Sequence, residues 1–275
     1  MLPSYILALR EGLEAALIIG IVLGALRQMR RPELRPALWA GAVSAVLVSL
    51  VASVILYLLG VSLEGNAEKI FEGFTMLLAA GILTWMIFWM NRQSHNLKGN
   101  LEAGVHKAVT RTGKRALFTL AFFAVVREGI ELALFLTATA FASDAIQTIL
   151  GTLLGLGTAI LLGWSLFATT VRLDLRRFFR VTGILLILFA AGLVAHGVHE
   201  FNEVGWIPVV IEHLWDINPI IDENSTFGQI IKALFGYNGN PSLTEVMAYI
   251  AYFVGVFFSL RKTGNKPAGE AVKPA

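Results

Sequence analysis

Apolar residues run along this chain in seven long blocks, each bounded by charge, glycine or proline. They extend roughly from Ser4 to Leu26, Ala37 to Leu59, Glu68 to Met90, Ala116 to Phe141, Ile146 to Thr170, Phe178 to Glu200 and Leu243 to Leu260. A hydrocarbon core about 30 Å thick needs about 20 apolar residues in a helix, and each block is close to that length. The pattern predicts an all-α integral membrane protein with seven transmembrane helices. The first block has no basic flank and carries Arg10, Glu11 and Glu14 inside it, so it reads as a retained helix rather than a cleaved leader. Residues 201–244 are too polar to span. Trp206, Trp215 and the stretch Phe227 to Tyr237 suit short interfacial helices, with Ser225 or Thr226 as an N-cap, and predict an extracytoplasmic lid. Residues 1–260 thus form one seven-helix transmembrane domain. Residues 261–275, with two prolines, two glycines and no large apolar side chain, predict a disordered cytoplasmic tail.

Composition agrees with a membrane protein. The 275 residues are 56% hydrophobic and 15% charged, with a mean hydropathy of +0.70, whereas soluble domains are about 25% charged. A formal charge of +3 matters less than where the charges lie. Of the 22 basic residues, 18 fall in the first, third and fifth loops and the tail, while the second and fourth loops have none and 201–244 holds only Lys232 against five acids. Cytoplasmic loops hold the basic excess, so the N-terminus is expected outside and the C-terminus in the cytoplasm. Nucleic acid is excluded as a partner; membrane lipid is the surrounding medium. There is no cysteine, so any metal must be held by oxygen or nitrogen.

One charged motif occurs twice. The first helix reads Arg10-Glu11-Gly12-Leu13-Glu14 and the fourth Arg127-Glu128-Gly129-Ile130-Glu131, 117 residues and three helices apart. Three helices is an odd number, so the second copy enters from the opposite face. The chain reads as two inverted three-helix repeats, about 4–90 and 116–200, plus a seventh helix, an architecture that places substrate sites near the midplane. Within each motif the two glutamates share a helix face, and the arginine reaches the second glutamate at i, i+4. Two motifs bring four carboxylates and two guanidiniums into the membrane, each at about +2.5 to +3.5 kcal/mol on insertion scales. They are tolerable only against each other, water or a cation. Arg–Glu pairing as glue between helices is the alternative, yet it leaves Glu11 and Glu128 over.

Other groups carry weaker signals. Ladders of small residues at spacing four, Ala8-Gly12-Ala16-Gly20-Gly24, Gly41-Ala45-Ser49-Ser53 and Gly151-Gly155-Ala159-Gly163, read as close helix packing. Glu72 lies one turn inside the outer end of the third helix and could extend a carboxylate path outward. His196, His199, Glu200 and Glu203 cluster at the outer end of the sixth helix, where histidine with carboxylate suits a transition metal and a solvated mouth suits the same residues. His95, His106 and His213 have no such setting.

At these motifs the chain resembles the oxidase-dependent iron transporter family, whose signature is Arg-Glu-X-Leu-Glu in the first and fourth helices, and most closely its bacterial EfeU-type iron permeases. The likeness extends to Phe71-Glu72-Gly73, Leu83-Thr84-Trp85-Met86, Phe88-Trp89-Met90, Ala190-Ala191-Gly192-Leu193, Glu203-Val204-Gly205 and Leu234-Phe235-Gly236-Tyr237, with Ile130 for Leu as the one departure in the motifs. The resemblance implies an inner-membrane permease importing iron, with Glu11, Glu14, Glu128 and Glu131 as the motif glutamates. It also implies extracytoplasmic iron-binding or oxidoreductase partners. Iron is then cargo, and no cofactor or enzymatic activity is expected. The expected route runs past Glu203, Glu200 and His199, then Glu72, to the motif glutamates, with Arg10 and Arg127 limiting net charge. Carboxylates alone suit Mg²⁺, Ca²⁺ and Mn²⁺ at least as well as iron, so the ion and its oxidation state stay open, with Mn²⁺, Zn²⁺ or protons as rival cargo on the same scaffold. A di-iron carboxylate enzyme is the rival from another class, but it calls for Glu-x-x-His on two helices, and neither motif helix has it.

Overall fold

The computed structural model describes residues 1–93, 113–168, 175–222, 225, 228, 231–232 and 236–264. Among the described residues there are seven long α-helices and one short 3₁₀ turn, with Gly228, Ile231 and Lys232 also helical, and no strand. The helices are α1 (Leu2–Gln28), α2 (Arg35–Val61), α3 (Asn66–Gln93), α4 (Lys114–Ala142), α5 (Ala145–Ala168), α6 (Leu175–Glu203) and α7 (Leu243–Gly264). Each falls on one of the seven apolar blocks. Their starts follow from local chemistry: Pro3 and Pro36 sit in first turns, where a missing N–H is harmless. Asp144 caps α5 by accepting the Gln147 N–H at 3.0 Å. Lys98, Lys107, Arg111, Arg172, Lys266 and Lys273, with His95, His106, Thr226 and residues 265–275, lie outside the described residues. The seventh helix runs on to Gly264, so residues 261–264, expected in the tail, are helical.

By length and composition, five helices can cross a membrane: the segments Pro32–Val61, Asn66–Met90, Ala145–Ser165, Arg177–Glu203 and Leu243–Arg261. The two others, α1 and α4, carry the charged motifs. Their charges are taken up inside the bundle instead, where Arg10, Glu11 and Glu128 are buried.

Four helices, α1, α3, α4 and α6, form the centre. Leu7, Met76, Leu83, Phe135 and Leu186 meet there at 0–1% exposure, with Ala79, Ala80 and Ala190 between them. Helices α2 and α5 flank this centre, α2 lying mainly on α4 and α5 mainly on α1, while α3 pairs with α6 and α7 lies against α6. Their outer faces are apolar: Leu47, Leu50 and Leu58 of α2, Leu153, Ile160 and Trp164 of α5, and Phe257 and Phe258 of α7 are all more than half exposed, as a lipid-facing surface requires.

Small residues set the helix spacing. A Cβ on Gly41 of α2 would sit 2.5 Å from the Phe118 carbonyl oxygen and 3.1 Å from Ala121 Cβ of α4. One on Gly151 of α5 would collide with the Met1 carbonyl and Ser4 of α1. A Cβ on Gly12 of α1 would sit 2.7 Å from Ala159 Cβ of α5, and one on Gly129 of α4 would collide with Ser49 of α2.

The described residues between 204 and 242 lie at one end of the bundle, the upper end, where α6 finishes and α7 begins. This segment is held by backbone hydrogen bonds from Leu214 N to Pro241 O (3.0 Å), Ile217 N to Gly239 O (2.8 Å) and Leu243 N to Ile211 O (3.1 Å). Trp206 stacks on Phe201 with the rings 5.6 Å apart. Ser225 accepts the Gly228 N–H at 3.0 Å, the bond expected of an N-cap there. Farther along, Gly236, with φ +64°, is pressed against the Gly192 backbone of α6, where no side chain would fit.

The small-residue contacts can be tested by size. Gly41→Leu pushes a side chain into the Phe118 backbone, which cannot yield, and overpacking of this kind costs about 1–3 kcal/mol or more. We expect a clear drop in the thermal unfolding temperature of the detergent-purified protein. Gly24→Ala, where a Cβ meets nothing within 4 Å, should leave that temperature unchanged or slightly raised.

Candidate functional site

The two charged motifs come together between α1 and α4. Glu11, Glu128 and Glu131 each offer an oxygen, and the three oxygens lie within 4.8 Å of one another. Glu11 is 1% exposed and Glu128 7%. Among the described residues no donor reaches either Glu11 oxygen, nor Glu131 Oε2. The Glu128 carboxyl lies against that of Glu11, and two carboxyls can hydrogen-bond only when one of them keeps its proton. The arrangement therefore calls for a proton or a cation at its centre. Glu14 is not in this trio; its Oε1 lies 3.3 Å from Arg10 Nη2.

Both expected i, i+4 pairs form, in unlike settings. Arg10 is fully buried, with Nη2 against Glu14 and Nη1 4.0 Å from Glu11 Oε1. Its Nη2 also donates to the Met90 thioether at 3.2 Å, and Nε and Nη1 find no hydrogen-bond acceptor among the described residues. Arg127 donates from Nε to Glu131 Oε1 at 3.0 Å but is 40% exposed, and its guanidinium rests over the Trp89 ring, 4.8 Å from the centroid. Such cation–π contact helps to hold a charge outside water. Trp89 and Met90, adjacent at the lower end of α3, thus hold one arginine each.

Toward the upper end the trio is closed. One turn above Glu11 and Glu131 come Leu7 and Phe135, packed with Leu83, Met86 and Leu186 in the buried centre. Lower down, Glu14 and Glu131 keep 16% and 12% of their side-chain surface.

The remaining sequence candidates stand above that apolar layer. Glu203 bridges Lys69 of α3 and His199 Nε2, the latter at 3.3 Å, while His199 Nδ1 meets Glu245 Oε1 of α7 at 3.0 Å. Both ring nitrogens of His199 are therefore occupied by carboxylates. Glu200 faces the charges of His199, Glu203, Lys69 and Glu68. Glu72 is half-buried nearby, facing Glu200 and Glu68. His196 turns instead to the Gly192 carbonyl at 3.0 Å. The structure thus gathers the candidates into two groups, the motif residues and an upper cluster, with the apolar layer between.

Lys69, Asn202, Glu245, Trp89 and Met90 take part in these groups and were not singled out for a role from the sequence. Glu245 had a legible signal: Ser242-Leu243-Thr244-Glu245 is a capping box. Ser242 Oγ accepts the Glu245 N–H at 3.3 Å and Glu245 Oε1 accepts the Ser242 N–H at 3.2 Å, which leaves the same carboxylate aimed at His199. Asn202 adds bonds to Ser242 and Thr244 at 3.0 and 2.8 Å. Trp89 and Met90 had no signal, because an aromatic–Met pair in an apolar helix usually packs against lipid or core.

Comparison with known proteins bears on what this site carries. Residues 1–261 match the iron permease FTR1 family. The ferrous iron permease EfeU of Escherichia coli O6:K15:H31 is 35% identical over 257 residues, covering 92% of this chain and 93% of that protein. The protein of the same name from Shigella sonnei is equally similar, and that of Yersinia pestis is 32% identical over 278 residues, covering 100% and 98%. No solved structure matches the chain.

The unlike settings of the two arginines predict unlike costs of removing them. Arg10→Ala breaks a buried pair, a change that costs about 3–5 kcal/mol, whereas Arg127→Ala acts on a partly exposed pair worth about 0–1 kcal/mol. Thermal unfolding in detergent should rank Arg10→Ala well below Arg127→Ala. The reverse order would contradict the geometry.

Proposed function

The chain belongs to the iron permease FTR1 family, a multi-pass protein of the bacterial inner membrane, and we propose that it imports iron through the site formed by Glu11, Glu14, Glu128 and Glu131. The carrying observation is the buried trio with no hydrogen-bond donor on Glu11. Three carboxylates within 4.8 Å of one another repel strongly at low dielectric unless a cation joins them. Arg10 and Arg127 offset part of the charge, leaving the four motif carboxylates two negative charges in excess. That excess suits a divalent cation. The relatives' names favour Fe²⁺ over Fe³⁺ as the cargo, and Mn²⁺ or Zn²⁺ on the same oxygens is the alternative that metal competition tests.

We read all seven helices as spans, α1 and α4 included, since their charges face the bundle interior. The packing register supports two inverted repeats. Adding 117 to positions in α1 and 110 to positions in α2 turns the contacts of Gly129 on Ser49 and Gly41 on Phe118 and Ala121 into those of Gly12 on Ala159 and Gly151 on Met1 and Ser4. Exchange of the two halves likewise swaps the α1–α5 and α2–α4 pairings. The equivalent glutamates Glu11 and Glu128 then meet at the axis relating the repeats. With the N-terminus outside, the upper end is extracytoplasmic. Iron would be delivered there by an extracytoplasmic binding or oxidoreductase partner and would gather at Glu203, Glu200, Glu72 and the ion pairs of His199. Because the apolar layer separates this mouth from the trio, passage requires one repeat to rock against the other.

Uptake of radioactive Fe²⁺ into proteoliposomes checks the site. Glu14→Gln and Glu131→Gln, at matched protein density, should each lower initial uptake by at least about tenfold, the effect of about 1.4 kcal/mol on cation binding. Normal uptake by well-folded variants would remove these residues from the pathway.

A further inference from the structure

We propose that Met90 is a specificity-determining residue, its thioether serving as a soft ligand beside the motif carboxylates and favouring borderline and soft divalent cations over Ca²⁺ and Mg²⁺. The inference rests on the reading of the motif glutamates as the cation site. Its geometry is carried by one atom. Arg10 Nη2, in a side chain with 0% exposure, lies 3.3 Å from Glu14 Oε1 and 3.2 Å from Met90 Sδ. A positive charge at this point is thus already held between a carboxylate oxygen and a thioether sulfur. Glu11 Oε1 is 4.0 Å from the neighbouring Nη1.

The guanidinium is poorly satisfied there. It has five N–H donors, yet Nε and Nη1 have no hydrogen-bond acceptor among the described residues, and both oxygens of the buried Glu11 receive no hydrogen bond. A compact cation that takes the position of Nη2 as the guanidinium withdraws would be coordinated by Glu14 and Met90, with Glu11 adjacent. In the other copy the Arg127 guanidinium turns outward, resting on Trp89 at 40% exposure, while its Nε keeps a hydrogen bond to Glu131.

The chemical consequence is selectivity. Carboxylates alone favour hard cations, whereas a thioether adds binding for softer ones and offers little to Ca²⁺ or Mg²⁺. One thioether among carboxylates tilts the site toward Fe²⁺ without the retention that thiolates would give.

The test compares Cd²⁺ and Ca²⁺ binding to the full-length detergent-purified protein by calorimetry, and Fe²⁺ uptake in competition with Mn²⁺ in proteoliposomes. Met90→Leu conserves volume, so folding should survive; Met86→Leu, a buried thioether in the apolar centre, is the control. We expect Met90→Leu to weaken Cd²⁺ by about tenfold, within the range for loss of a group that supports a metal, to leave Ca²⁺ unchanged, and to shift uptake toward Mn²⁺. Met86→Leu should alter neither ratio. An unchanged Cd²⁺-to-Ca²⁺ ratio in Met90→Leu, while Glu14→Gln abolishes Cd²⁺ binding, overturns the thioether role and leaves the glutamate site standing. Cd²⁺ binding that survives Glu14→Gln overturns both.

Discussion

Burying like charges without water sets the terms for the whole molecule. Glu11, Glu128 and Glu131 converge within 4.8 Å, in a bundle whose outer faces are apolar, and such a cluster is stable only while something positive or protonated shares it. Two arginines meet part of this requirement, from the same two motifs. What they leave unmet is an excess of two negative charges on the four motif carboxylates, the feature on which the proposed cation site rests.

Close packing makes the convergence possible. Gly12 on Ala159 and Gly129 on Ser49 bring each motif helix against its flanking helix with no side chain between, so the motif glutamates project from rigid, closely backed helices. The flanking helices α2 and α5 present apolar outer faces and back α1 and α4 closely, which leaves Arg10, Glu11 and Glu128 buried between helices. Above the trio, Leu7, Phe135 and Leu83 close the bundle. Higher still, a chain of ion pairs, Lys69 to Glu203 to His199 to Glu245, ties α3, α6 and α7 together around the mouth. The closed layer lies between two polar clusters, and opening it means separating packed helices rather than moving one side chain.

Much of this was legible in the sequence because its strongest signals are periodic. Seven apolar blocks gave seven helices, and the repeated Arg-Glu-Gly-X-Glu pointed to Glu11, Glu14, Glu128 and Glu131 before any coordinates. The small-residue ladders named Gly12, Gly41, Ser49, Gly151 and Ala159, which are contact points in the fold. Pairing between distant helices was not legible. Spacing on one helix shows that Arg10 can reach Glu14, yet nothing in it tells Arg10, fully buried, from Arg127, 40% exposed. That difference comes from α3, through Met90 and Trp89. In the same way His199 reads as an available metal ligand on α6, and only the capping-box carboxylate of Glu245 on α7 shows its second nitrogen to be taken.

In the proposed function, carboxylates from both motifs hold one cation between α1 and α4. The most direct measurement of this is anaerobic equilibrium binding of Fe²⁺ to the purified protein, comparing wild type with the double variant Glu11→Gln, Glu128→Gln after thermal unfolding has shown both to be folded. One Fe²⁺ per chain is expected in the wild type and none at the same concentration in the double variant. Stoichiometric binding retained by the folded double variant would contradict the proposed site and place the cargo elsewhere in the bundle.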